Sequence, residues 1–295
     1  MMVILDVSRV EVPRLVKSVT LPAYARRIYV AGGYTYLITD EDLKTFFLDG
    51  PARPRLVGSL PGSFRDVYVF GKRLYLLGGS FKGDKETGWL EIYDIRDPAR
   101  PVRLGRVEFA DYPYMVRADA KAAYIAAGSG GLIVVDCTKP ERPVILSRVK
   151  KRDEWVCGLN VQGHVVYLAI AKVVPGGAYD GILRVMDVSD LQKPKIYSSA
   201  VIIEYNASSE IWDIGYNKQY VYLGSGMGLY VIDISNPYAP NIIGINEMPG
   251  SFSGLLVFKG YIMTPYIEIH KKTDFSYGIE SCSRLIIKKN KYNKE

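Results

Sequence analysis

Two aspartates and several arginines in this chain have side chains that could take part in chemistry. Asp66 lies in the run SFRDV and Asp213 in the run EIWDI. Two carboxylates that face one another can divide the roles of general acid and general base, and Arg27 or Arg65 could hold an anionic group beside them. The full set of candidate binding residues also includes aromatic side chains: Arg26, Arg27, Phe64, Arg65, Asp66, Tyr112, Tyr114, Trp155, Trp212, Asp213 and Phe252. No catalytic residue is assigned, because the separation of the carboxylates depends on the fold.

A repeat with a period in the forties determines where these residues lie. Each copy is an apolar strand pattern that ends in an aspartate and continues into a proline-bounded turn and a second strand. Successive aspartates are 43, 45, 42, 51 and 46 residues apart, a period typical of propeller blades. We predict that these aspartates hold Asx-type turns by accepting backbone N–H groups; they are Asp6, Asp49, Asp94, Asp136, Asp187 and Asp233.

Two alternating runs joined by a short turn precede each of the last five copies, and such runs predict β-hairpins. Each unit is then four antiparallel strands, A to D, and the sequence predicts an all-β, six-bladed β-propeller in a single domain, 1–295, with a basic tail at 288–295. The predicted blades are about 21–60, 61–109, 110–150, 151–204, 205–248, and 249–287 together with 1–20. We expect the N-terminal strands ILDVS and RLVKSV to complete the last blade, although the C-terminal run SRLIIKK is an alternative third strand.

The units resemble the LVIVD-repeat β-propellers. The resemblance is carried by LIVVDCTKPERP and LYVIDISNPYAP, by the AGSGGLIVVD and GSGMGLYVID hairpins and by the PGSF entries to strand A at residues 61–64 and 249–252. It covers essentially the whole chain and implies the fold, but it implies little about activity, because propellers host both binding and catalysis. Many relatives look exported, whereas this chain shows no leader, so a cytoplasmic location is expected.

Alignment of the blades separates residues that repeat from residues that do not. The strand-B tyrosines recur and are predicted to be core residues: Tyr36, Tyr75, Tyr124, Tyr167 and Tyr222. Arg27, Asp66, Met115, Gly158 and Asp213 occupy one equivalent position and differ. Two interpretations remain open for this ring: ion pairs between blades, or a polar and aromatic site for a ligand or peptide at the channel mouth. The variable B–C and D–A connections are expected to lie around that mouth.

Composition and motifs restrict the possible functions. From Lys259 onward the chain carries +4 of its net charge of +7, which indicates a solvated basic end rather than a nucleic-acid site. The three cysteines are far apart and the two histidines lack partners at ligand spacing, so no metal site, disulfide framework or cofactor is predicted, and Cys137 is predicted to be a core residue. No apolar stretch is long enough for a spanning helix. The abundance of tyrosine and proline fits a heat-adapted source.

Three functions follow as hypotheses. The first is a non-enzymatic binding or scaffold propeller that presents its variable loop face to an unidentified protein or small ligand. The second is a hydrolase or lyase that uses Asp66 and Asp213 with an arginine, although none of the common hydrolase, nucleotide or metalloprotease motifs occurs. The third is binding of nucleic acid or an anionic surface by the basic tail, which the charge pattern makes the weakest of the three.

Overall fold

A computed structural model shows the fold of the protein. The structure describes residues 2–6, 12, 14–21, 24–50, 53–82, 85–206, 211–217, 219–225, 228–247, 251–252, 256–258, 261–267, 270–271, 277–278 and 283–289. The chain divides into two compact units, Met1–Val149 and Lys150–Glu295. Regular structure within the described ranges consists of β-strands. None of those residues belongs to a helix long and apolar enough to cross a membrane.

The first unit contains one two-stranded sheet and three four-stranded antiparallel sheets. We call the four-stranded sheets blades 1 to 3. The two-stranded sheet is β1 (Met2–Asp6) and β2 (Arg14–Val19). Blade 1 is β3 (Ala25–Ala31), β4 (Tyr34–Thr39), β5 (Asp42–Leu48) and β6 (Pro54–Pro61). Blade 2 is β7 (Phe64–Phe70), β8 (Arg73–Lys82), β9 (Lys85–Asp94) and β10 (Val102–Phe109). Blade 3 is β11 (Met115–Ala118), β12 (Ala122–Ala126), β13 (Leu132–Asp136) and β14 (Val144–Val149).

The second unit contains blades 4 and 5, which have the same strand order, and shorter pieces of sheet. Blade 4 is β15 (Glu154–Gln162), β16 (Val165–Val173), β17 (Tyr179–Asp187) and β18 (Lys195–Asn206). Blade 5 is β19 (Ile211–Asn217), β20 (Tyr220–Ser225), β21 (Gly228–Asp233) and β22 (Asn241–Glu247). The remaining strands are β23 (Ser251–Phe252), β24 (Leu256–Phe258), β25 (Tyr261–Ile267), β26 (His270–Lys271), β27 (Tyr277–Gly278) and β28 (Ser283–Lys289).

The predicted four-stranded antiparallel blades are confirmed, but the described residues form five of them rather than six. In the last sheet β25 pairs with β23 and β24 along one edge and with β28 along the other. Because a strand has only two edges, β28, which is the run SRLIIKK, takes the place beside β25 that we expected for an N-terminal strand. The strands β1 and β2 pair with each other. The sixth blade and its closure by the N-terminus are therefore not confirmed, and most of the predicted basic tail lies outside the described residues.

The core lies between neighbouring sheets and is formed by the residues that alternate along the strands. The strand-B tyrosines are all buried, as predicted. One cluster joins Tyr75 and Leu77 of blade 2 to Val116, Ile125 and other apolar residues of blade 3. A second joins blades 1 and 2. The aligned sheets of the first unit are thus held together by continuous apolar packing.

The C–D turns show why an aspartate recurs. A side-chain oxygen of Asp94, Asp136, Asp187 or Asp233 accepts the backbone N–H of the residue two positions later, in each case at 2.8 Å. The Asx turns are therefore confirmed at these four positions. The turns after Asp6 and Asp49 include residues outside the described ranges.

Cys137 follows one of these aspartates and lies in the core, as predicted. Burial raises the pKa of its thiol to about 12. Because the thiolate is the nucleophilic form, this cysteine is chemically inert at neutral pH.

Candidate functional site

Strand A contains a β-bulge at a corresponding place in four blades. The register shifts between Ala25 and Arg27, Phe64 and Asp66, Val156 and Gly158, and Ile211 and Asp213. The bulged residues, which have no directly opposite partner on strand B, are Arg26, Arg65, Cys157 and Trp212. A bulge interrupts the alternation of a strand and redirects the side chain at the bulged position. In these four blades the predicted ring residue directly follows a bulged residue, whose side chain leaves the regular pattern, whereas Met115 of blade 3 pairs without a shift in register.

The bulges were missed in the sequence, although blade 2 carries a signal for one. Phe64 and Val67 are three residues apart and both are buried. In an uninterrupted strand, residues three apart point to opposite faces, so two core residues at this spacing indicate one extra residue between them.

Asp66 is a point of contact among blades 1, 2 and 3. Its carboxylate is buried and accepts the backbone N–H of Val116 at 2.9 Å and Nη1 of Arg117 at 3.3 Å. Nε of Arg27 lies 3.5 Å from its other oxygen. Arg27 lies on β3 of blade 1, and Val116 and Arg117 lie on β11 of blade 3. Ion pairs between blades are what the first interpretation of the ring expects. The carboxylate is thus committed to holding three sheets together.

Aromatic rings surround this ion pair. The rings of Tyr29 and Tyr68 lie 5.2 Å apart, and the guanidinium of Arg117 lies over Tyr68 at 5.4 Å from the ring centroid. Burial, followed by the neighbouring Tyr68, raises the pKa of Tyr29 to about 12. The surroundings of Asp66 therefore resemble a packed interface more than an open cleft.

Arg65, the bulged residue before Asp66, has a different environment. Its guanidinium carbon lies 4.7 Å from the ring centroid of Tyr112. The ring of Phe81 is stacked on Tyr112 at 4.3 Å between centroids and 26° between planes. Both groups therefore pack against the ring of Tyr112. We call these three residues the Arg65 stack.

Within the described residues, the guanidinium of Arg65 has no anionic partner. Its Nε is buried and has no hydrogen-bond acceptor, and no carboxylate in the described ranges lies within ion-pair distance of it. A buried N–H without an acceptor normally costs about 1–3 kcal/mol. The terminal Nη groups donate to no described residue, and Nε is the only nitrogen of this side chain that is both buried and unsatisfied, so the Nη groups keep some exposure to solvent. The stack therefore presents a cation with unused donors.

The connection from β10 to β11 positions Tyr112. Glu86 on β9 accepts the backbone N–H of Tyr112 at 3.2 Å, and Arg148 forms an ion pair with Asp111. Tyr114 packs edge-on against Tyr112 at 5.7 Å. The ten-residue strands β8 and β9 carry Phe81 and Glu86 beyond the part of the sheet that pairs with β7. The long B–C hairpin and the D–A connection together build the stack.

The electrostatics of the stack favour an anion. Burial raises the pKa of Tyr112, whereas the charges of Arg65 and Arg26 act in the opposite direction. Arg26 is already paired with Asp40. Tyr112 is nearly buried, but 59% of the surface of Phe81 is exposed. Arg65 is thus the unmatched charge of a surface whose outermost member is an exposed aromatic ring.

The predicted candidates of the second unit lie on strands of blades 4 and 5 and on β23. Trp155 is partly buried on β15, and the thiol of Cys157 contacts its carbonyl oxygen at 3.4 Å. Asp213 is buried and accepts the backbone N–H of Ile214 at 2.7 Å. The side chains of Trp212 and Phe252 are outside the described part of the structure. Asp66 and Asp213 belong to different units, so their predicted opposition across a channel stays a prediction.

Two buried charges that the sequence reasoning did not select occupy one position of the repeat. Glu91 and Arg184 each lie three residues before a turn aspartate, where the other blades carry Phe46, Ile133 and Tyr230. Glu91 accepts bonds from Tyr93 at 2.8 Å, Arg103 at 3.1 Å and Arg106 at 3.0 Å. A charge at an otherwise apolar position of an internal repeat was the available signal.

In blade 4 the same position carries the opposite charge. The side chain of Arg184 is buried, with Nη1 at 2.5 Å and Nη2 at 2.7 Å from the two oxygens of Glu154. Its Nε donates to Ser199 at 2.9 Å. Each of the three guanidinium nitrogens of Arg184 therefore has a hydrogen-bond partner within its own unit.

Residues able to hold a metal do not cluster in the described ranges. No group of three or more histidine, cysteine, aspartate or glutamate side chains comes together there. His164 lies exposed in the turn between β15 and β16, where its carbonyl oxygen accepts the backbone N–H of Val188. Its backbone thus supports the turn of blade 4.

The repeated four-stranded sheets define the fold as a β-propeller. A family model of the LVIVD repeat matches residues 121–150 and 211–247. The first range covers most of blade 3 and the second covers blade 5. The chain thus carries LVIVD repeats on a β-propeller fold, which confirms the resemblance seen in the sequence. A comparison with curated proteins finds no match in sequence.

Solved structures support the fold at low sequence identity. Sqt1 from Chaetomium thermophilum is 12% identical, with 89% of this chain and 74% of that one covered at a TM-score of 0.62. The AfRom2 CNH domain is 9% identical, with 88% and 81% covered at 0.55. Hsv2p of Kluyveromyces lactis is 9% identical, with 82% and 71% covered at 0.55. At these identities the likeness shows the fold alone.

Proposed function

We propose that the protein is a non-enzymatic binding propeller and that the Arg65 stack is a contact surface for its ligand. The observation that carries this proposal is the unmatched guanidinium of Arg65 on the ring of Tyr112. Three other arginines of the first unit lie over aromatic rings: Arg106 and Arg117 each have a carboxylate partner, whereas Arg55, 5.9 Å from the ring centroid of Phe47, has none in the described ranges. Arg55 is exposed to solvent, and Arg65 differs from it in having a buried Nε without an acceptor. A ligand would supply the anionic hydrogen-bond acceptor that the described residues do not provide to Arg65.

The position of the stack also supports binding. Phe81 lies on the long B–C hairpin of blade 2, and Tyr112 lies on the following D–A connection. These are the two variable classes of connection, and binding residues occur disproportionately on loops that a rigid scaffold positions. Exposed aromatic rings and arginines are enriched among the residues that dominate binding interfaces. A protein or peptide partner that covers Phe81 would fit this surface.

The bonding of Asp66 argues against its use as a catalytic group. A general base must reach the proton that it removes. The carboxylate of Asp66 is buried and already accepts from Val116 and Arg117 and pairs with Arg27. Its role in holding sheets together accounts for its charge without a reaction.

Peptide selection tests the proposal. A random peptide library would be selected against the full chain, and the affinities of the recovered peptides would be measured for the wild type and for Phe81→Ala. We expect affinity to fall at least tenfold in Phe81→Ala, because aromatic anchors provide a large share of binding energy. The matched control is Phe70→Ala, since Phe70 is an exposed ring of the same blade at the far end of β7. Equal loss in both variants, or no loss in Phe81→Ala, would contradict the proposal.

A further inference from the structure

We infer that the Arg65 stack recognises a carboxylate group attached to a planar apolar group. This inference rests on the proposed function and adds the chemical class of the ligand. Three observations support it: the donors that remain on Arg65, the charges of the neighbouring side chains, and a carboxylate already bound to a buried arginine elsewhere in the molecule.

The accessible donors of Arg65 limit how a ligand binds. Its Nε is buried, and its guanidinium carbon lies over the ring of Tyr112. The donors left for a ligand are therefore those of the two terminal Nη groups. The spacing of the two oxygens of a carboxylate matches two N–H donors of one guanidinium. A carbonyl or hydroxyl oxygen would satisfy fewer donors and would leave the positive charge unmatched.

Blade 4 contains the same kind of contact in a complete form. Nη1 and Nη2 of Arg184 lie 2.5 and 2.7 Å from the two oxygens of Glu154. That arginine and its partner are both buried, so the pair shows how a carboxylate completes a guanidinium in this fold. Arg65 differs because no described side chain occupies the equivalent place at its Nη groups.

The local charge favours a monoanion. Arg26 is paired with Asp40, and the carboxylate of Glu86 lies at the backbone of Tyr112. With Glu86 included, these four side chains carry no net charge, and Arg65 is the cation among them that has no ion-pair partner in the described ranges. A carboxylate neutralises it, whereas a phosphate group adds a second negative charge close to two existing carboxylates.

The exposed ring of Phe81 accounts for the planar apolar group. Its inner face is stacked on Tyr112, and its remaining surface is largely exposed. A flat group attached to the carboxylate can cover that surface, and aromatic pairs contribute about 0.5–1.5 kcal/mol beyond their buried area. Both an aromatic acid and the carboxylate of a peptide beside an aromatic side chain have this chemistry.

Titration of the full chain with three small probes tests the inference. Benzoate has both groups, benzamide is its neutral analogue, and phenyl phosphate carries the larger negative charge. Binding would be followed by NMR at low salt through the Nε–H signal of Arg65, which is shielded from solvent. We expect saturable shifts with benzoate, binding at least tenfold weaker with benzamide and phenyl phosphate, and at least tenfold weaker benzoate binding in Arg65→Met.

Controls separate this inference from the proposed function. Arg106→Met removes another stacked arginine of the same blade and is expected to leave benzoate binding within twofold of the wild type. Arg65→Lys keeps the charge without the paired donors and should bind benzoate less well than the wild type. Two further probes distinguish a general contact surface from a carboxylate site. One is a library peptide without a carboxylate, and the other is the dipeptide Gly-Phe, whose terminal carboxylate lies beside an aromatic ring.

Each outcome has a defined meaning. Absence of benzoate binding, equal binding of benzamide, preference for phenyl phosphate, or unchanged binding in Arg65→Met would overturn the carboxylate inference. If peptides still lost affinity in Phe81→Ala, the proposed function would stand without it. If benzoate bound through Arg65 but peptides were insensitive to Phe81, the anion site would stand and the proposed contact surface would fail. Binding of Gly-Phe with the same dependence on Arg65 would extend the inference to peptide ends.

Discussion

Two arginines of blade 2 lie over aromatic rings at nearly the same distance but in different electrostatic environments. Arg106 lies 4.6 Å from the ring of Trp89, and Arg65 lies 4.7 Å from the ring of Tyr112. Arg106 bonds Glu91 and Glu108. Arg65 has no such partner in the part of the chain that the structure describes. Stacking alone therefore does not distinguish them, and the presence or absence of a carboxylate separates a structural arginine from a candidate binding residue.

The network around Arg106 should be the more costly of the two to disrupt. Replacing Glu91 with alanine leaves Tyr93 without its acceptor and Arg103 and Arg106 without a buried carboxylate. We expect the free energy of unfolding to fall by about 2–3 kcal/mol, below the range for fully buried pairs because both arginines are partly exposed. Urea or thermal unfolding measures the change. Glu108→Ala, which removes an exposed carboxylate, is the control. An equal loss of unfolding free energy in the two variants would show that the buried network contributes no more to stability than an exposed ion pair.

Asp66 provides the corresponding test beside Arg65. Asp66→Ala removes the acceptor of the buried N–H of Val116 and the partner of Arg117, so we expect a loss of about 2 kcal/mol in the free energy of unfolding. Asp66→Asn keeps one oxygen for Val116 and should lose less. The same unfolding measurements apply to both variants. Full stability of Asp66→Ala would show that the carboxylate does not hold the three sheets together.

The two stacked arginines can then be compared directly by the same substitution. Arg106→Met should lower the free energy of unfolding by about 1 kcal/mol, because Glu91 loses one of its donors and Glu108 loses its partner. Arg65→Met should change it by less than about 0.5 kcal/mol or raise it, since methionine keeps an apolar contact with Tyr112 and removes an unsatisfied buried N–H. Parallel unfolding of both variants measures the difference. A larger loss for Arg65→Met would mean that Arg65 has a structural partner after all.

The smallest effect is expected at the exposed C–D turns, which lie outside both clusters. Bonds from the Thr138 hydroxyl and backbone N–H lower the pKa of Asp136 below 3.8. A lowered pKa in the folded state contributes stability above the unfolded value, and that contribution is lost as the pH falls through the folded value. Asp136→Asn should therefore be slightly less stable than the wild type between pH 5 and 7 and approach it as the pH falls through the lowered pKa of Asp136.

Thermal midpoints across this pH range measure the difference. Thr138→Ala removes the hydroxyl, the larger cause of the lowered pKa, and should reduce the pH dependence while keeping the carboxylate. A constant difference between Asp136→Asn and the wild type at every pH would contradict the linkage.

The regular parts of the blades were predictable because their signals are local. Alternation along each strand and the aspartate before each C–D turn predicted the four-stranded units and the burial of Tyr75 and the equivalent tyrosines. The bulges were harder to predict, because one extra residue changes only the phase of the alternation. Glu91 and Arg184 appeared in the sequence as charges at an apolar position, but the sequence did not show which distant groups satisfy them.

The sequence by itself determined a β-propeller with LVIVD repeats, since the turn chemistry and the period-two pattern of every unit agree. Only the tertiary structure decided that β28 takes the place beside β25, that Asp66 binds groups on blades 1 and 3, and that Arg65 turns onto Tyr112. These outcomes depend on contacts between residues far apart in the chain and on a single shift in register. Local sequence patterns do not specify such contacts, because they arise when complete sheets pack against one another.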